Sequence, residues 1–106
     1  MAPTRTKFNA RKTKVDGLTF DSLREAERWV ALCEEQSRGV ISGLKRQARF
    51  KLEVNGQLIT HYVADFIYDR DEERVVEDVK GYITDVYRIK RRLMKACYGI
   101  EILETR

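Results

Sequence analysis

One proline, one histidine and two cysteines in 106 residues exclude several kinds of protein at once. Cys33 and Cys97 stand far apart, both on stretches of helical spacing, and neither belongs to a Cys-x-x-Cys or Cys/His cluster. That removes a structural zinc site and makes reduced core thiols the expectation rather than a disulfide. No apolar run approaches the ~18 residues of a membrane span. The stretch Met1-Ala2-Pro3-Thr4-Arg5-Thr6-Lys7 has no apolar core of the secretory kind, so a cytoplasmic protein is expected. No repeat or low-complexity segment interrupts the chain. A hydrophobic content of 42% beside 36% charged residues fits one folded α/β or α+β domain and not a disordered chain.

The net charge is +4, and its distribution says more than its size. The first fourteen residues hold Arg5, Lys7, Arg11, Lys12 and Lys14 without an acid, which reads as a flexible basic arm over 1–14 ahead of a single domain over 15–106. Further groups are Lys45, Arg46, Arg49 and Lys51, and then Arg88, Lys90, Arg91, Arg92 and Lys95. Such clusters serve either as solvated faces or as phosphate contacts that displace condensed counterions.

Within the domain, Val15 to Phe20 reads as a turn or hairpin-like lead-in. Ser22 with Glu25 three residues later matches a capping box, and the helix it opens runs to about Ser37, where Gly39 stops it. At 100° per residue, Leu23, Ala26, Trp29, Val30 and Cys33 form an apolar stripe flanked by Glu25; Arg24, Arg28 and Glu35 are expected to point away. Residues 40–48 read as a connector. A strand over 50–54, the Asn55-Gly56 turn, a return strand over about 58–68 and a third strand over about 74–80 follow. A second helix is expected over roughly 84–98, closed by Gly99, and a last strand over 100–104. The order is α-β-β-β-α-β.

The second and third strands each hold a carboxylate where a packed strand should avoid one. Asp65 lies between Ala64 and Phe66 in an apolar run, where an unpaired charge costs several kcal/mol and so requires a partner. In the next strand, Asp78 and Lys80 share a face by alternation, with Glu77 on the other. Each residue has a structural reading too: Asp78–Lys80 as a surface ion pair, Glu25 as a cap, and His61 or Tyr82, Tyr87 and Tyr98 as packing. Two carboxylates and an amine on neighbouring strands are what metal-assisted phosphodiester cleavage needs. Asp65 and Asp78 would ligate a divalent cation with the Val79 carbonyl. Lys80 would orient the attacking water, and Glu25 would complete the site.

This arrangement resembles the PD-(D/E)XK nuclease superfamily, with Glu25 on the first helix, Asp65 on the second core strand and Asp78-Val79-Lys80 on the third. Phe20-Asp21-Ser22, Glu25-Ala26-Glu27-Arg28, Tyr62-Val63-Ala64-Asp65-Phe66, Val76-Glu77-Asp78-Val79-Lys80-Gly81 and Tyr98-Gly99-Ile100 further resemble small phage and prophage proteins of that superfamily. Ala64 stands where the motif has proline, and the second acid is Asp rather than the commoner Glu. The resemblance implies a restriction-endonuclease-like α/β fold with a central mixed sheet flanked by helices. It also implies Mg²⁺-dependent DNA endonuclease activity (Mn²⁺ as an alternative ion), structure-selective on branched or nicked DNA, in a phage- or prophage-encoded protein working as a homodimer in the bacterial cytoplasm. A sequence-specific endonuclease and a catalytically silent nucleic-acid-binding protein on the same fold are the alternatives. The DNA contacts expected are Arg5, Lys7, Arg11, Lys12, Lys14, Lys45, Arg46, Lys90, Arg91 and Lys95.

Overall fold

The computed structural model describes residues 12–106. The elements among them are β1 (Thr13–Val15), β2 (Leu18–Phe20), α1 (Leu23–Ser37), β3 (Ser42–Val54), β4 (Gln57–Arg70), β5 (Glu73–Val79), α2 (Asp85–Tyr98) and β6 (Leu103–Thr105). The architecture is mixed α/β. A two-stranded hairpin, β1–β2, precedes a four-stranded mixed sheet of order β3-β4-β5-β6, antiparallel except where β6 runs parallel to β5. From α1 onward the succession is the expected α-β-β-β-α-β. Of the arm expected over 1–14, Arg5, Lys7 and Arg11 lie outside the described residues, whereas Thr13 and Lys14 already belong to β1.

Local chemistry accounts for the punctuation. Ser22 caps α1 by accepting the Glu25 N–H at 3.1 Å, and Thr84 caps α2 through the Tyr87 N–H at 3.0 Å. Asp16-Gly17, Asn55-Gly56 and Asp71-Glu72 are two-residue hairpin turns with positive φ at both positions, the twist that matches paired strands. The last of these does so without glycine.

Two expectations need correction. Residues 42–48 are not a connector: β3 begins at Ser42 and continues unbroken to Val54. The buried face of α1 is also rotated from the apolar stripe. Leu23 and Val30 are exposed, Leu32 is fully buried, and Arg28 turns inward to pair with Glu77 on β5. A buried acid across the interface decides which way that helix faces, and a count of apolar residues on α1 alone cannot register it.

The long β3–β4 ribbon serves two cores. Ala48, Phe50, Leu52, Tyr62, Ala64, Ile67 and Val76 pack with Tyr87 and Met94 of α2. Leu44, Phe66, Tyr68, Val75 and Val79 pack instead with Trp29 and Leu32 of α1. Residues 64 and 66 have the same parity yet opposite faces, as do 44 and 48. Side-chain alternation therefore reverses between the Ala48–Ala64 and Arg46–Phe66 pairs, at Gln47 and Asp65. Gln47 sits at φ 57°, a left-handed conformation that breaks the pleat. The reversal places Asp65 at the junction of the two cores.

Candidate active site

Asp65 stands where β4 and β5 separate. Their pairing ends at Phe66–Glu77, and one step further Asp65 would face Asp78. In place of a ladder bond, Asp65 Oδ2 accepts the Val79 N–H at 2.8 Å. Asp78 is 2% exposed, its Oδ2 accepting the Tyr62 hydroxyl at 2.5 Å with Lys80 Nζ at 3.5 Å. Lys80 shares that face, its ammonium 4.1 Å from the centroid of the Tyr87 ring, a cation–π distance. Tyr87 in turn donates to Glu104 at 2.7 Å.

Glu25 arrives from the first turn of α1. Its backbone is held by the cap, and its carboxylate, on a residue only 4% exposed, accepts Gln47 Nε2 at 3.3 Å. Glu25, Asp65, Val79 and Lys80 line one cleft of about 680 Å³ whose other walls include Arg24 and Tyr82. Asp78 reaches Asp65 from behind and lines a smaller depression of about 240 Å³ with Tyr62, Lys80 and Lys90. Lys80 borders both. The four expected side chains thus meet at one place, three in the cleft and Asp78 against its back wall. His61 is two residues before Val63, which borders the smaller depression, and itself lines neither space.

The electrostatics are unbalanced. Burial is the main cause that pushes the Asp65 carboxyl up to about 8, followed by its contact with Asp78; the Val79 N–H opposes the shift. Glu25 is also raised, by burial first and then by Asp21, with Arg46 pulling the other way. Burial and the neighbouring Asp78 raise the Tyr62 hydroxyl, so it remains a donor. For Glu104, burial works upward, but hydrogen bonds from Tyr87 and Arg91 outweigh it and hold the group below the ordinary range. The inner region therefore gathers three acids against one lysine.

Glu77, adjacent to Asp78, has a different fate. It is fully buried on the α1 face and receives Arg28 Nε at 2.6 Å, Arg28 Nη2 at 3.1 Å, the Tyr68 hydroxyl at 2.5 Å and the Thr105 hydroxyl at 3.0 Å. Glu77 lies on the face opposite Asp78, as alternation predicts, and there it is ion-paired and not solvent-facing.

The expected DNA contacts divide. Lys45 is exposed on β3 and Lys90 borders the smaller depression. Lys12 pairs with Asp21 at 3.4 Å, Arg91 with Glu104 at 2.6 Å and Lys95 with Glu101 at 2.8 Å. Arg46 turns toward the hairpin, its guanidinium 4.3 Å from the Phe20 ring centroid and Nη2 donating to the Thr19 carbonyl at 2.9 Å. Sequence reading missed Tyr62, Gln47 and Arg24 beside the site and took Tyr82 as packing, whereas Tyr82 is exposed at the cleft wall. Tyr62 is missed because strand parity sets it opposite Asp65, and only the reversal brings it to Asp78.

Among the described residues, no group of three or more His, Cys, Asp or Glu side chains is arranged as a metal-binding cluster. No helix there is long and apolar enough to cross a membrane. Residues 5–103 match the model of the DUF1064 family, described as a protein of unknown function, and the chain belongs to that family. No curated protein and no solved structure matches it.

Proposed function

We propose that this protein is a divalent-metal-dependent DNA endonuclease of the PD-(D/E)XK kind. The observation that carries the reading is the juxtaposition of Asp65 and Asp78 at the parting of β4 and β5, with Lys80 3.5 Å from Asp78. A carboxyl pushed up to about 8 by burial and a like-charged neighbour lacks a counter-charge. Carboxylates are hard oxygen donors that fit Mg²⁺ or Mn²⁺, whose charge would hold Asp65 deprotonated, and Mg²⁺ binds through one or two carboxylates plus substrate phosphate and water, so a three-acid cage is not required.

Asp65 and Asp78 would hold the ion, with the Val79 carbonyl as a third donor. When bound, such an ion neutralises phosphoryl charge and acidifies a coordinated water. The chain's own groups do the rest. Lys80 orients the water and offsets charge developing on the phosphate, Tyr62 fixes the Asp78 rotamer, and Glu25 holds a water at the opposite wall of the cleft. Arg24, which lines the same cleft, would contact a neighbouring phosphate. The resemblance extends the proposal to branched or nicked DNA, a homodimer, and a phage or prophage protein in the host cytoplasm.

Supercoiled plasmid, linear duplex and a four-way junction incubated with Mg²⁺, Mn²⁺ or EDTA test the reading. Cleavage that needs the metal, favours the junction and disappears in Asp65→Ala, Asp78→Ala and Lys80→Ala is expected. Folded wild-type protein that binds DNA and cuts none of the three substrates with either metal overturns it in favour of a silent binding protein.

A further inference from the structure

Where β3 and β4 extend past the reversal, the described residues cover only one of their faces. Ala48, Phe50, Leu52, Tyr62 and Ala64 lie under α2. The opposite face, the one that α1 covers lower down, presents Arg49 across from Val63 and Lys51 across from His61. Arg49 and Lys51 are exposed, Val63 is 43% exposed, and neither cation has a side-chain partner among the described residues. On α2 the cations are mixed: Arg88, Arg91 and Lys95 are each paired with an acid, whereas Lys90 and Arg92 have no ion pair among the described residues. This open face also adjoins the cleft, since Gln47, two residues before Arg49, touches Glu25, and Asp65 follows Val63 by two. Glu53 near the hairpin end marks its limit.

We infer that this open ribbon face is a binding track for the phosphate backbone of nucleic acid flanking the cut, with Arg49 and Lys51 as its contacts. The inference rests on the nuclease reading for where the cut lies, but its chemistry is that of a polyanion on an unpaired cationic sheet. At about 3.3 Å per residue, the Arg49–Val63 and Lys51–His61 pairs stand roughly 7 and 13 Å up the ribbon from Asp65. Phosphates on one strand of a B-form duplex advance about 3.4 Å along the axis, so these cations lie roughly two and four nucleotides from the scissile phosphate. DNA too short to reach them loses the contacts.

The test uses the full chain in EDTA, where binding is read without cutting. Labelled duplexes of about 20 and about six base pairs are titrated at several salt concentrations. For Arg49→Gln/Lys51→Gln, the salt slope on the long duplex is expected to fall by about two and affinity near physiological salt by about tenfold. The short duplex, with about three base pairs on either side of its centre, reaches Arg49 but not Lys51, so its slope is expected to fall by about one, and Arg49→Lys/Lys51→Arg restores both slopes. Circular dichroism melting confirms that the variants fold. An unchanged slope on the long duplex, or equal losses on both lengths, overturns the track while leaving any metal-dependent cleavage by the wild type intact. Loss of the slope in a protein that never cuts supports the track and overturns the nuclease reading instead.

Discussion

Glu77 and Asp78 are neighbours in the chain, both buried, and they face opposite sides of one sheet. Glu77 is saturated by a bidentate arginine and two hydroxyls. Asp78 receives one hydroxyl and a more distant ammonium and is pressed against a second acid, Asp65. Burial therefore does not distinguish these two acids. What separates them is whether the fold completes the charge. Protein groups complete the charge of Glu77, whereas Asp78 and Asp65 have one nearby ammonium, and under the proposed nuclease reading a divalent cation completes that pair.

The sharpest way to break this contrast is to substitute each side and read both activity and stability. Asp78→Asn should reduce metal-dependent cleavage by at least about 100- to 1,000-fold, as removal of a transition-state electrostatic contact does. Its folded state should survive. Arg28→Ala should act in the opposite sense, leaving Glu77 buried and unpaired at a cost of about 3–5 kcal/mol, measured by urea unfolding. If Asp78→Asn unfolds the protein and Arg28→Ala does not, the assignment of roles is reversed.

A second experiment concerns Asp65 and pH. Its unfolded value is about 3.9 and its folded value is raised to about 8. Between these, the folded state binds more protons than the unfolded, so this group's contribution to stability falls as pH rises from about 4 to about 8 and is level above that. Asp65→Asn should remove the slope and raise Tm at pH 8, by about 4–8 °C for each kcal/mol recovered. Mg²⁺ should raise Tm of the wild type there and not of the variant. A flat wild-type profile would show that the deficit is absent.

The smallest effect should come from Tyr62→Phe, which removes the donor to Asp78 while keeping the ring. A loss of about tenfold in cleavage, ~1.4 kcal/mol, with fold intact is expected. Equal losses at saturating and limiting metal would place Tyr62 in the chemistry rather than in holding the ligand.

Much of the fold was legible in short-range signals. Ser22 and Glu25 mark the start of α1, Gly39 and Gly99 follow the two helices, and Asn55-Gly56 turns β3 into β4, because each depends on neighbours within a few residues. The convergence of Glu25, Asp65 and Lys80 was legible as a pattern of element order plus alternation. What alternation could not register was its own reversal. It misread 42–48, whose apolar Leu44 and Ala48 serve different cores, and it hid Tyr62. Long-range pairing escaped for a related reason: Arg28 turns inward for the sake of Glu77, 49 residues away. The final strand was expected to begin at 100, but Ile100 and Ile102 pack against the α2 core before the ladder starts at Leu103.

The reversal at Gln47 and Asp65 also has a thermodynamic consequence. A single continuous pair of strands threads both apolar clusters, so neither can melt without freeing the strands that shape the other. Unfolding should be one cooperative event, with amides of the central ribbon exchanging only on global opening and those of the β1–β2 hairpin exchanging earlier.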